Sequence, residues 1–125
     1  MVQFNELRIG SWILEDGRPI KVTAIEYGLE PYCRINETIA SKKDMADIFE
    51  SIPITPEFLE AVGFVWFKDQ QRLTMSLQAS NNLYYSQSSK EFQINEQQLP
   101  KSPSYVHQFQ NLYLCFTGED LEIIL

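Results

Sequence analysis

The sequence predicts a single α+β domain, and three observations carry that expectation. Apolar residues alternate with polar ones around tight-turn signals between residues 9 and 25, and again between 64 and 94. A short segment between those stretches, 54–63, bears the start and stop signals of a helix. The stretch from 102 to 118 then returns to helical periodicity with its aromatics gathered on one arc. With 125 residues, 44% of them hydrophobic and 13% aromatic, the chain can bury a real core. Four subregions follow: N-terminal strands in 1–40, short helices in 41–63, an antiparallel meander in 64–98, and a C-terminal helix with a last strand in 102–125.

In "LRIGSWILEDGRPIKVTAIE" the pair Asp16-Gly17 marks a tight hairpin turn, with Ile9, Trp12, Leu14, Ile20, Val22 and Ile25 as expected core positions. "YCRI" can add a third strand and make the unit a small sheet of the SH3-like kind. "SKKDMADIFESIP" places Met45, Ile48 and Phe49 at helical spacing behind a cap at Ser41. "ITPEFLEAVGF" is more explicit. Thr55 is the N-cap, Pro56 takes the first helical position, Glu57 complements the positive end, and Gly63 suits the left-handed position past the last turn. Ile54 can pack on Leu59 as a hydrophobic staple.

From Phe64 the period becomes two. "FVWFK", "RLTMSL", "NLYYS" and "EFQIN" are four short strands divided by polar linkers of hairpin length. Leu73, Met75, Leu77, Leu83, Tyr85, Phe92 and Ile94 should form the buried face, leaving Thr74, Ser76, Tyr84 and Gln93 toward water. Ser102 and Pro103 read as the cap and first residue of the last helix, and Gly118 as its stop. Tyr105, Val106, Phe109, Leu112, Tyr113 and Phe116 fall on the arc expected to press on the sheet. The tail "EDLEIIL" alternates and can return as a strand. No repeat of 20–50 residues is visible.

The net charge of −7 and pI near 4.6 disfavour a polyanionic partner, because phosphate binding draws on clustered Lys and Arg. Charge is uneven: residues 64–101 carry a net +1 and every other subregion is negative. The N-terminus lacks the basic patch and apolar run of a signal peptide or anchor, so a cytoplasmic protein without membrane contact is expected. Cys33 and Cys115 stand outside any C-x-x-C spacing and read as reduced thiols, with no metal, cofactor or disulfide framework implied. The common nucleotide and hydrolase motifs are absent, and no catalytic residue is assigned.

The polar arc of the last helix holds the candidate site: His107, Gln108, Gln110 and Asn111. A histidine among carboxamides can serve as a general base, a recognition group, or a local structural bond. We expect the structural bond, a lock in which His107 and Asn111 reach backbone groups of the N-terminal unit or of a partner chain. Cys115 cannot pair with His107, since eight residues of helix put them about 12 Å apart. Tyr84 is a candidate surface aromatic. A surface rich in Tyr, Gln, Asn and Ser suits protein contacts, so a non-catalytic interaction module that binds an unidentified host or phage protein is the leading expectation, with a homo-oligomer behind it. Single-stranded nucleic-acid binding through sheet aromatics is the alternative, and an enzyme pairing Cys33 with His107 a second one.

The run "YVHQFQNLYLCFTGEDLEI" also resembles the C-terminal signature of a group of small uncharacterised bacterial proteins, often linked to prophages and mobile elements, which reads V-H-Q-L-Q-N-L-Y-F-A-L-T-G-E-E-L. Val106, His107, Gln108, Gln110, Asn111, Leu112, Tyr113, Thr117, Gly118, Glu119 and Leu121 match it, whereas Phe109, Leu114, Cys115, Phe116 and Asp120 depart from it. "LRIGSWILEDGRPIKVTAI" and "IPITPEFLEAVGF" are similar to that group's opening hairpin and its I-P-L-T-P-E-x-L-x-x-x-G-F element. The resemblance implies a single-domain bacterial protein of the kind carried by phages, and implies no activity. Cys115 stands where the group has a small apolar residue, which argues against a catalytic thiol there.

Overall fold

The computed structural model describes residues 6–29, 32–69, 71–77, 81–95, 97–99 and 101–123. It is a mixed α+β structure made of small antiparallel sheets, two short helices and a C-terminal helix that contacts strands. The chain divides into two compact units. One runs to Ile52 and includes Tyr105–His107; the other comprises Pro53–Ser104 and, of the described residues beyond 107, 108–123.

In the first unit, β1 (Trp12–Glu15) and β2 (Arg18–Lys21) form the expected hairpin. Its turn works because Asp16 and Gly17 both adopt positive φ, 48° and 81°, which matches the twist of the flanking strands. β6 (Phe49–Glu50) pairs with the other edge of β1. A second sheet follows the order β3 (Ile25–Leu29), β4 (Tyr32–Ile35), β5 (Thr38–Ser41). α1 (Lys42–Ile48) starts at Ser41, whose hydroxyl accepts from the Asp44 N–H at 3.2 Å. Leu7, Ile13, Val22, Cys33, Ile35, Met45 and Phe49 make up the core.

The hairpin's inward face differs from expectation by one residue. Ile13 is the buried member of "WILE", while Trp12 and Leu14 are only half-buried and Ile9 is exposed. Three adjacent apolar residues leave the parity of a strand undecided, and β1 settles it through its pairing with β6, which sequence periodicity cannot see. β5 was not foreseen either. It follows β4 across a two-residue turn that Asn36 closes at φ 55°.

In the second unit, α2 (Pro56–Ala61) forms as its signals require: the Thr55 hydroxyl accepts from the Phe58 N–H at 3.1 Å, Pro56 opens the helix, and Gly63 takes φ 117° beyond its end. The meander is β7 (Val65–Phe67), β8 (Arg72–Ser76), β9 (Asn82–Ser86) and β10 (Glu91–Ile94), extended by an unforeseen β11 (Gln97–Gln98). The five strands lie in chain order, all antiparallel. Leu73, Met75, Leu83, Tyr85 and Phe92 are buried on one face as expected; Leu77 and Ile94 are half-buried.

α3 (Val106–Thr117) is shorter than its sequence signals suggest. Ser102 does not cap it. Its hydroxyl instead accepts from the Phe92 N–H at 2.8 Å, and the Gln108 side chain accepts from the Ser104 N–H at 2.9 Å just ahead of the helix. Phe109 stacks on Phe92 at 5.5 Å between centroids and meets Phe58 edge-on at 6.1 Å, so the helix is pinned to the meander's buried face by an aromatic cluster. Phe116, assigned to the same arc, is 44% exposed because the last turn outruns that cover. The expected final strand does not form over 121–123; Ile124 and Leu125 lie outside the described residues.

Candidate functional site

His107 occupies the second position of α3 and is completely buried, so the polar arc does not begin in solvent. Its Nε2 lies 3.2 Å from Oε1 of Glu6, and the Tyr105 ring lies parallel to the imidazole, 3° from coplanar alignment with centroids 6.1 Å apart. Nδ1 has no hydrogen-bond partner among the described residues. A carboxylate only accepts, so the proton of a neutral ring belongs on Nε2, leaving Nδ1 as the less costly unpaired acceptor. Burial pushes the His107 pKa down from 6.5; the hydrogen bond and charge of Glu6 oppose that shift. The expected bond to a backbone group is therefore corrected: the partner is a side-chain carboxylate.

The other arc residues differ in burial and bonding. Gln110 is buried, Gln108 spends its carbonyl on the Ser104 N–H, and Asn111 is half-buried. The Cys33 thiol donates to the Ala40 carbonyl at 3.7 Å while His107 is engaged with Glu6, and Cys115 is exposed. Among the described residues no group of three or more His, Cys, Asp or Glu could hold a metal ion, and no helix is long and apolar enough to cross a membrane.

The second candidate lies at the open edge of the five-stranded sheet. Among the described residues β7 pairs only with β8, through Val65 opposite Thr74, Trp66 opposite Leu73 and Phe67 opposite Arg72. Its three residues are 58%, 42% and 47% exposed in turn. Val65 and Phe67 share the wet face with Thr74, Ser76, Asn82 and Tyr84, and these residues line a groove of about 560 Å³ together with Val62, Gly63, Met75 and Tyr113. Tyr84 is half-buried rather than freely exposed, with the Arg72 guanidinium 3.6 Å above its ring centre. Sequence reasoning passed over this edge, although "FVWF" held the signal: a strand alternates its faces, so four consecutive large apolar residues cannot all point inward.

Fold and site together define a small α+β protein with a buried histidine–carboxylate pair and, among the described residues, an apolar β7 edge with no strand beside it. No known family, curated protein or solved structure matches the chain.

Proposed function

We propose that this is a non-catalytic protein-interaction module, bacterial or phage-derived as the C-terminal resemblance suggests, that takes up an extended segment by strand addition at β7. The exposed Val65-Trp66-Phe67 edge carries the reading. Sheets that end in water generally blunt the edge with charge, proline or a bulge. β7 has none of these within its three residues. An added strand would complete the backbone hydrogen bonds that face away from β8 and set alternate side chains beside Val65 and Phe67, over the groove.

The test is capture from the native host by wild-type chain and by Val65→Lys. Val65 is more than half exposed, so the variant should fold normally. Loss of a captured protein at unchanged Tm is the expected result. Capture that the substitution leaves intact, or capture of nucleic acid in place of protein, overturns the reading.

A further inference from the structure

We infer that the groove on the wet face of the five-stranded sheet is a binding site for an uncharged sugar. The inference does not depend on strand addition, which uses the backbone of β7, whereas the sugar is held by side chains on the face of the sheet. At about 560 Å³ the groove falls within the roughly 300–1,000 Å³ typical of small-molecule sites. None of the described residues that line it is charged, in a chain where 22% of residues are Asp, Glu, Lys or Arg. An ionised ligand would give up its hydration there without a counter-charge in the lining, a cost that a neutral ligand does not meet.

The polar members of the lining narrow the class further. Thr74, Ser76, Tyr84 and Tyr113 offer hydroxyls and Asn82 a carboxamide, and every one of these groups can both donate and accept. A carboxylate only accepts and an ammonium only donates, so either would leave part of that capacity unused, whereas sugar hydroxyls do both. Thr74 stands between Val65 and Tyr84 in register, and its Oγ1 is buried with no hydrogen-bond partner among the described residues. Buried hydroxyls are ordinarily bonded. Val65 is exposed and Tyr84 half-buried, so both side chains border water and can part to admit a ligand hydroxyl to Thr74. The apolar C–H face of a sugar ring has the exposed Phe67 to pack against. A nucleobase fits less well, since it needs open ring faces for stacking and the Arg72 guanidinium already lies over Tyr84 at 3.6 Å from the ring centre.

The test is titration of the full, nitrogen-15-labelled chain with glucose, N-acetylglucosamine, maltose and cellobiose, with glucuronate, glucose 6-phosphate and adenosine as comparisons. One or more of the neutral sugars should give saturable amide shifts centred on Gly63, Thr74, Ser76 and Asn82, with a Kd of order 1 mM as suits a ligand of few atoms. Thr74→Val should weaken that binding about fivefold and yet raise the Tm, because it removes a buried unpaired hydroxyl; a hydroxyl with a purely structural role would lower the Tm when lost. Asn82→Ala should weaken binding by a similar factor in a chain whose spectrum stays dispersed. No saturable shift in the groove from any of these neutral sugars at about 50 mM overturns the inference. So does equal or tighter binding of glucuronate or the sugar phosphate, binding of adenosine in their place, or sugar binding that both variants leave unchanged. A chain that binds no sugar yet loses its captured protein on Val65→Lys leaves the interaction reading intact, and the converse result leaves the sugar site.

Discussion

The His107 imidazole sits where a charge is costly and a neutral ring still needs a partner, and Glu6 supplies that partner at 3.2 Å from a position near the start of the chain. Desolvation is the larger influence, so the folded pKa lies below 6.5 despite the neighbouring carboxylate. Between the folded value and 6.5 the unfolded chain binds more protons than the folded one. The stabilising contribution is thus complete above about pH 6.5 and is lost as pH falls through the folded pKa. Urea midpoints taken near pH 7.5 and near pH 5.5 should fall with acidification, and His107→Gln should flatten that part of the profile. The same variant should lower stability at neutral pH by roughly 1–3 kcal/mol, the cost of disturbing a buried hydrogen-bonded group. A wild-type midpoint that rises on acidification would mean that attraction to Glu6 outweighs burial, reversing the sign.

At the scale of elements, two hairpins in different units close in the same way. Asn36 follows β4 at φ 55° and Asn95 follows β10 at φ 54°, each within an Ile-Asn-Glu sequence. The Asn36 N–H donates to the Ala24 carbonyl at 2.8 Å, and the Asn95 N–H to the Asn82 carbonyl at 2.8 Å. The side-chain carbonyl of Asn36 accepts from the Thr23 N–H at 2.7 Å, and that of Asn95 from the Asn82 N–H at 3.0 Å. One residue thereby takes the left-handed turn and ties it to the entry of the neighbouring strand. Asn36→Gly keeps the backbone freedom and loses the side-chain bonds, at a cost of roughly 1 kcal/mol. Asn36→Ala loses both and should cost roughly 2–3 kcal/mol, since the left-handed region is unfavourable by about 1–2 kcal/mol for a residue with Cβ. Equal denaturation midpoints for the two variants would show that the side-chain bonds dominate and φ matters little. These corners explain what was legible. The caps at Ser41 and Thr55 are written in neighbouring residues and could be read directly, as could the alternation from Leu73 to Phe92. The parity of β1, the unforeseen β5 and β11, and the late start of α3 depend on partners far along the chain. So does the site: nothing local to His107 announces Glu6, 101 residues away.

At the scale of the whole molecule, the segment beyond residue 104 contributes to both compact units. Tyr105–His107 belong to the first, where the Val106 N–H donates to the Ile52 carbonyl at 2.8 Å and His107 meets Glu6. Residues 108–123 belong to the second, where Phe109 fills the space between Phe58, Phe64 and Phe92. A chain ending at Ser104 would keep every strand of the meander yet expose the apolar face that Phe109 covers. Loss of that one ring from a core is worth about 3–5 kcal/mol, a large share of the 5–15 kcal/mol that holds a typical domain together. The first unit would lose a completely buried valine and histidine in the same cut. We therefore expect the 1–104 fragment to show no cooperative thermal transition and rapid amide exchange over 72–94, whereas Phe116→Ala in the full chain should change the Tm little, because that ring is already 44% exposed. Protected amides in β8 to β10 of the fragment would show that the sheet holds its own core, and that the C-terminal helix is an addition to the fold and not part of it.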